Sequence, residues 1–240
     1  MSGSVTSFIP AEFMAVLCAR EVRSTDIYGV GIQSLIAATG ATLAKLSLQP
    51  HAKLISRGIP GAELVLGPRE PHQLAMNGRL KLFFLTPAQI DAHANVNFER
   101  VRHNDGSWQE LSGAFAVPVY YSTIERIVLL VPDHSPKVFR PNLDRITASG
   151  SPVAGEHRIG GLYRVLTNKA VLQWDKEQKR LEIIGYHPGE SVQSIQAATG
   201  FEMAVSSQIH ETQPISKTER DALDQLVYPA LKNMALPWRK

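Results

Sequence analysis

The sequence predicts an α/β fold: an open, mostly parallel sheet flanked by helices, with an antiparallel hairpin in the second half. Three observations predict it. Strand-like apolar runs alternate with helix-like segments through the first half of the chain. Ile127 to Val131 is a continuous apolar run, the kind buried on both faces of a parallel sheet. Val171–Trp174 and Leu181–Ile184 flank a charged turn, Asp175 to Arg180, as the arms of a hairpin do.

Taken in order, residues 11–22 form a helix, because Phe13, Val16 and Leu17 follow helical spacing behind Pro10. Ile27 to Gly31 is a short strand running into a glycine turn, and Ser34 to Leu48 is the following helix, weakened by Gly40. Lys53–Ile55 is a second strand. Ser56 to Gly61 is a loop rich in breakers, and Lys81–Leu85 is a third strand stopped by Pro87. The segment 91–112 is polar and reads as a long irregular loop of the functional or mobile type. Arg145–Thr147 reads as one more short strand, and 148–161, with four glycines, as a flexible connection. Val192 to Ala198 is a short helix that Gly200 closes as a left-handed cap. Ser216 and Glu219 make a capping box before Leu223, Leu226 and Val227, so a last helix follows.

The 240 residues read as one domain, 1–240, with 44% hydrophobic and 20% charged residues, which excludes disorder. The single cysteine, Cys18, excludes an intrachain disulfide framework and a multi-thiolate zinc site; it reads as a small core residue. The net charge of +3 is spread without a Lys/Arg run, so no nucleic-acid partner is expected. No long apolar stretch and no secretory signal are visible, so no membrane partner is expected and the location reads as cytoplasmic.

Generic catalytic motifs are absent: no Walker loop, no nucleophile elbow, no His-Glu-x-x-His helix. Gly29 and Gly31 follow a strand and precede a helix, but Ser34 stands where a dinucleotide fingerprint has its third glycine. The pair is either a tight packing turn or a place where backbone N–H groups face a ligand phosphate. Histidines 93 and 103 in the polar segment read as solvated. The three tryptophans do not interleave with basic runs and imply no stacking platform.

Three stretches in order carry a family resemblance. They are Ala88-Gln89-Ile90-Asp91 through Asn95-Val96-Asn97, Leu166-Thr167-Asn168-Lys169 through Asp175, and His187-Pro188-Gly189-Glu190 through Thr199-Gly200-Phe201. Together with Gly29, Gly31 and the segment Leu43 to Pro50, they resemble the β-type subunit of the family I CoA-transferases, as found in glutaconate CoA-transferase. The resemblance covers nearly the whole chain. It implies an open α/β sheet, an α-type partner subunit, an active site at the subunit interface, and an acyl-CoA substrate. Coenzyme A then belongs to the substrate; no tightly bound cofactor and no metal are implied.

In the transferases a glutamate of the β-type chain attacks the acyl-CoA from a turn just after the second strand. Here that turn is Ser56-Arg57-Gly58, with serine in the place of glutamate. A hydroxyl cannot form the anhydride and thioester series of a carboxylate, and it needs a base to become a nucleophile. Glu63 and Glu70 lie nearby in sequence without the family's glycine context. The family's glycine-rich loop at the thioester is here Leu111 to Ala116, with one glycine, Gly113, and a bulky Phe115 that narrows or reshapes the approach. Both departures resemble the branches of the family that lack the glutamate and decarboxylate or hydrolyse their CoA thioesters. The expectation is therefore a heteromeric acyl-CoA decarboxylase or hydrolase, with Ser56 and Gln89 in the catalytic region. Substrate and CoA would be held by Gly29, Gly31, Arg57, Gly58, Arg100, Arg102, Gly113 and Phe115. Two alternatives stay open: a transferase with a displaced glutamate, and a non-catalytic chain that completes a partner's site. The arginines taken singly also read as surface charges.

Overall fold

A computed structural model describes residues 10–31, 34–63, 67 and 69–239. Its first half runs α1 (Pro10–Arg20), β1 (Ile27–Val30), α2 (Leu35–Leu43, prolonged by a π-turn over Ala44–Leu48), β2 (Lys53–Leu54), α3 (Arg69–Met76) and β3 (Leu82–Leu85). Two small hairpins follow, β4 (Gln89–Ile90) with β5 (Val96–Asn97), and β6 (Arg100–Arg102) with β7 (Trp108–Glu110). Then come α4 (Val117–Thr123), β8 (Arg126–Val131), β9 (Leu162–Thr167), β10 (Ala170–Asp175), β11 (Arg180–Tyr186), α5 (Val192–Ala197) and β12 (Ala204–Glu211). The chain closes on α6 (Lys217–Ala222), a π-turn over Leu223–Val227, and α7 (Tyr228–Ala230).

Eight strands form one sheet in the order β12-β11-β10-β9-β8-β3-β1-β2. Within it only β10 runs against the others; all its remaining neighbour pairs are parallel. Alternation of side chains explains why both faces are covered. Leu82, Phe84, Val128 and Leu130 point into one apolar layer, which α1, α2 and the last helices cover. Phe83, Leu85, Ile127, Leu129 and Val131 point into the other, which Ala75 of α3, Tyr120 and Tyr121 of α4, and Ile195 of α5 cover. At the amino end of the strands, the buried guanidinium of Arg126 is met by Asp26 at 2.6 Å and by the Glu21 carbonyl at 2.8 Å. These bonds offset the cost of burying the charge, although the Nε atom is buried without a hydrogen-bond partner.

Three expectations are corrected. The polar segment 91–112 is not irregular, because it holds β5, β6 and β7. Asp91, Asn97 and Asp105 accept backbone N–H groups of its own turns. Arg145–Thr147 is not a strand; the neighbouring Ala148 makes a single antiparallel bridge to Val96. Gly200 is not a left-handed cap, since it is absent from the positive-φ glycines among the described residues. It is small because a Cβ there would lie 2.4 Å from the Phe139 carbonyl oxygen. Helices α3 and α4 and strands β9 and β12 were not expected as elements.

Gly40, expected only to weaken its helix, is required by the α1–α2 crossing. A Cβ there would meet the Ala15 carbonyl oxygen at 2.3 Å and the Cys18 Cβ at 2.6 Å. Helix propensity favours alanine by about 1 kcal/mol. Overpacking against a backbone that cannot yield costs about 3 kcal/mol, so the crossing wins. Gly40→Ala is expected to lower stability by about 2 kcal/mol in urea denaturation, the opposite sign to an exposed helix glycine.

Candidate functional site

The chain leaves β1 through α2 on one face of the sheet and reaches β2, then crosses through α3 on the other face to β3. β2 and β3 flank β1 on opposite sides. The carboxyl ends of β1 and β3 therefore form a topological switch point, where open α/β sheets leave a crevice for ligands. Gly31 sits there, its N–H donating to the Phe84 carbonyl at 2.9 Å. Ser34, the N-cap of α2, uses no side-chain cap bond, and its hydroxyl lies 3.5 Å from that of Thr86 at the end of β3. Gly29 is a packing glycine. A Cβ there would come 2.6 Å from the Phe83 ring and 3.0 Å from the Ile55 carbonyl oxygen.

Ser56 follows at the carboxyl end of β2, half-buried, with Arg57 and Gly58 exposed beside it. Gly58 adopts φ +76° with nothing within 4 Å of a Cβ position, so the turn needs glycine for its backbone and not for space. The loop then folds back. The Glu63 N–H donates to the Leu54 carbonyl at 2.7 Å, and Ile55 and Glu63 form a parallel bridge. Glu63, exposed, thus stands one strand position from Ser56.

Gln89 lies on β4. Its side chain is buried and fully used: the amide donates to Asp144 at 2.6 Å, while the oxygen accepts from Asn97 at 2.8 Å and from the Asp144 N–H at 2.9 Å. Asp91 closes the adjoining turn by accepting from the N–H groups of His93 and Asn95 at 2.9 Å each. The Ala-Gln-Ile-Asp to Asn-Val-Asn stretch is therefore a hydrogen-bonded knot holding β4 against β5. Burial opposes ionisation of Asp144, but the Arg102 amide, Gln89 and the guanidinium groups of Arg140 and Arg102 hold its carboxyl below the usual range.

Arg100 and Arg102 stand on the next hairpin, away from Ser56 in the topology. Their guanidinium carbons lie 4.5 and 5.9 Å from the ring centre of Trp108. This arginine–tryptophan cluster was not legible, because β6 and β7 bring residues six and eight apart together across a turn. Gly113 is held by its N–H bond to the Phe98 carbonyl at 3.0 Å, and a Cβ there would be 2.3 Å from the Phe98 Cβ. Two residues on, Phe115 is 70% exposed and packs its ring on His72 at 5.0 Å.

A second polar cluster has no counterpart among the sequence-predicted site residues. His134, after β8, is buried between the hydroxyls of Thr167 at 3.0 Å and Thr199 at 2.9 Å. His187 is buried between the Thr212 hydroxyl and the Thr167 carbonyl, each at 2.9 Å. A carbonyl only accepts, so Nε2 of His187 carries the proton and Nδ1 accepts from Thr212. Burial, with the charge of Lys169, pushes the His134 imidazole down to about 4, and burial also lowers that of His187. The second and third family-like stretches meet in this cluster. Nothing in a lone histidine's sequence context announces such a threonine cage.

Among the described residues, no group of three or more His, Cys, Asp or Glu is placed to hold a metal ion. No helix among them is long and apolar enough to cross a membrane. What the strand ends offer is backbone N–H groups, hydroxyls of Ser34, Ser56 and Thr86, and the exposed Arg57. Such groups bind and polarise an anionic or carbonyl-bearing ligand.

This sheet order, with its switch point beside the β2 turn, is the fold of a family I CoA-transferase chain. No protein-family model matches the sequence. It is 25% identical over 92% of its length to the B-type chain of the 3-oxoadipate CoA-transferase of Pseudomonas knackmussii, covering 94% of that protein. It is 23% identical over 91% of its length to the B-type chain of the glutaconate CoA-transferase of Acidaminococcus fermentans, again covering 94%. The IpdB component of the cholesterol ring-cleaving hydrolase of Rhodococcus jostii is 24% identical over 85% of the chain and 86% of its own length. Among solved structures, Acidaminococcus fermentans glutaconate CoA-transferase superposes with a TM-score of 0.79 at 19% identity, over 97% of this chain and 99% of that one. Rhodococcus jostii IpdAB gives 0.79 at 20% identity over 93% and 96%. The decarboxylase AibA/AibB gives 0.76 at 19% identity over 90% and 94%. By sequence and by fold the chain is a relative of the B-type chains of family I CoA-transferases, whose kin include a decarboxylase and a hydrolase.

Two outcomes follow from this geometry. The unfolded chain protonates its histidines near pH 6.5, but folded His134 resists protonation down to about 4. Its contribution is complete above 6.5 and lost as pH falls through that window, amounting to about 3 kcal/mol. Urea denaturation across pH 7.5 to 4.5 is expected to show this loss, and His134→Asn to flatten the slope. Gln89→Glu sets a carboxylate against Asp144 and is expected to cost about 3 kcal/mol by the same measurement, while Ser56→Ala is close to neutral.

Proposed function

We propose that this chain is the B-type component of a heteromeric enzyme acting on acyl-CoA thioesters with an A-type partner. Its reaction is decarboxylation or hydrolytic cleavage, not CoA transfer. One observation carries the reading: the half-buried residue at the start of the β2 turn, beside the switch point, is Ser56 and not a carboxylate. Among the described residues, no histidine or carboxylate is hydrogen-bonded to its hydroxyl. Without a base the hydroxyl is a polar contact and not a nucleophile.

A thioester held at the strand ends serves instead as an electron sink. In decarboxylation the bond to the carboxylate carbon breaks, its electron pair enters the thioester carbonyl as an enolate, and CO₂ leaves. A proton then returns to carbon. In hydrolytic C–C cleavage, water oxygen adds to a β-carbonyl carbon of the acyl group, the bond from that carbon to the thioester's α-carbon breaks, its electron pair enters the thioester as the enolate, and the proton from water returns to the α-carbon while the other fragment leaves as a carboxylate. Backbone N–H groups of the β2 turn stabilise the enolate oxygen, and Arg57 meets a substrate carboxylate. These supports come from position and chemistry together. The similarity to a decarboxylase and a hydrolase points the same way.

A second reading has its own support. The Ile55–Glu63 bridge brings a carboxylate-bearing residue beside Ser56, as a displaced nucleophile requires.

The test uses this chain purified with its A-type partner. A panel of dicarboxyl acyl-CoAs is incubated with and without a free carboxylate acceptor, and products are followed by mass spectrometry. Product without acceptor, unchanged by Glu63→Gln, is expected. Acceptor-dependent CoA transfer abolished by Glu63→Gln would instead establish the second reading. Ser56→Glu is expected to introduce acceptor-dependent transfer at the expense of the original product. A complex that consumes no acyl-CoA would overturn both readings.

A further inference from the structure

The strand that carries the candidate turn is the shortest of the main sheet. β2 is two residues long and lies at the border, beside β1. Its ladder bonds run from the Lys53 N–H to the Asp26 carbonyl and from the Ile55 N–H to the Tyr28 carbonyl, each at 2.8 Å. On its outer side the returning loop adds the bond from the Glu63 N–H to the Leu54 carbonyl. A border strand with so few bonds opens locally at low cost unless something else ties its ends.

One side chain supplies that tie. Lys45 is half-buried in the π-turn that prolongs α2, and its ammonium donates to the Pro50 carbonyl at 3.0 Å and to the Ala52 carbonyl at 2.9 Å. Both carbonyls belong to the link that enters β2, beyond the last turn of Lys45's own helix, so the bonds do more than cap that helix. The stem of the same side chain meets the loop that leaves β2. A Cβ at Gly61 would lie 3.3 Å from the Lys45 Cγ and 3.6 Å from the Leu46 Cδ2. Gly61 adopts φ +78°, so the loop crosses the π-turn in a backbone form that suits glycine. Ile59, buried in the layer of α1 and α2, seats the loop there. The π-turn itself is closed by the Gln49 N–H on the Ala44 carbonyl at 2.7 Å, and such turns recur at functional sites. Lys45 thus touches the chain on both sides of Ser56.

We propose that Lys45 is a positioning residue for the candidate site: it holds the Ser56-Arg57-Gly58 turn in place by tying the chain that enters β2 to the loop that leaves it. This rests on the acyl-CoA reading of that turn and adds the residue that sets its geometry. Lys45 acts through backbone carbonyls and not on the substrate. A shift of about 1 Å in groups that orient a reacting ligand costs on the order of 100-fold in rate, so a loosened turn shows in turnover.

The experiment uses the complex with its A-type partner. Hydrogen exchange followed by mass spectrometry reads the turn without any substrate. Lys45→Met keeps the stem and removes the ammonium. It is expected to speed exchange of the 53–62 amides about tenfold and to leave those of β8 and α5 unchanged. Turnover is read on the dicarboxyl acyl-CoA panel, where Lys45→Met is expected to lower kcat about tenfold with KM within about twofold of the parent's. Lys45→Arg keeps the charge and the N–H donors and is expected to restore both readouts. Exchange at the turn equal to the parent's overturns the inference, and so does exchange that is faster throughout the chain, which marks a general loss of stability. Faster exchange at the turn with kcat unchanged also overturns it and leaves the acyl-CoA reading standing. A parent that consumes no acyl-CoA overturns the acyl-CoA reading, and the exchange readout then decides by itself whether Lys45 holds the turn.

Discussion

The second half of the molecule depends on one residue, Thr167. At this point the sheet changes from parallel to antiparallel, and a single hydroxyl governs the reversal. It accepts the N–H groups of Ala170 at 2.8 Å and Lys169 at 3.0 Å, which shapes the turn from β9 into β10. The same hydroxyl meets His134, and the carbonyl of the same residue meets His187. Two buried imidazoles thus converge on one threonine from the loop after β8 and the loop after β11. Through His134 the cage extends to Thr199, and Gly200 and Phe201 then close on Phe139. Because unsatisfied buried polar groups are costly, losing any one member exposes the others to that cost.

This arrangement separates holding from acting. The conspicuous polar stretches of the chain, around Gln89 to Asn97, Thr167 and His187 to Phe201, are occupied in holding loops and strand ends in place. The candidate chemistry sits in the inconspicuous Ser56-Arg57-Gly58 turn and the switch point beside it. The stretches that carry the family resemblance thus supply much of the hydrogen bonding that holds the fold. Gln89 is the clearest instance, with both ends of its carboxamide engaged inside the fold.

The parallel strands were legible because both-face burial leaves continuous apolar runs, as in Ile127–Val131, and because glycine and proline mark their ends. Helix α4 was not, since Val-Pro-Val-Tyr-Tyr is rich in β-branched and aromatic residues and becomes helical only by packing on the sheet. β12 was missed because its half-exposed pattern lacks clean alternation. β9 had a usable signal, β-favouring Leu162, Tyr163, Val165 and Leu166 directly after Gly160 and Gly161. Of the candidate site, Gly31 was expected from its place between a strand and a helix, and Ser56 from the family resemblance, which sets a glutamate in that turn. The His72 ring under Phe115 was not legible, because α3 and the loop before α4 meet only in the tertiary structure.

The two ends of the sheet carry a consequence of their own. One border is β2, two residues long. The other is β12, whose pairing with β11 jumps from Val205 to His210 while its neighbour advances two positions. A border so short, and a border so buckled, give no straight row of free N–H and C=O groups for another chain to copy. Borders of this kind disfavour growth of the sheet by strand addition, which makes helix faces and loops the better surfaces for joining another chain.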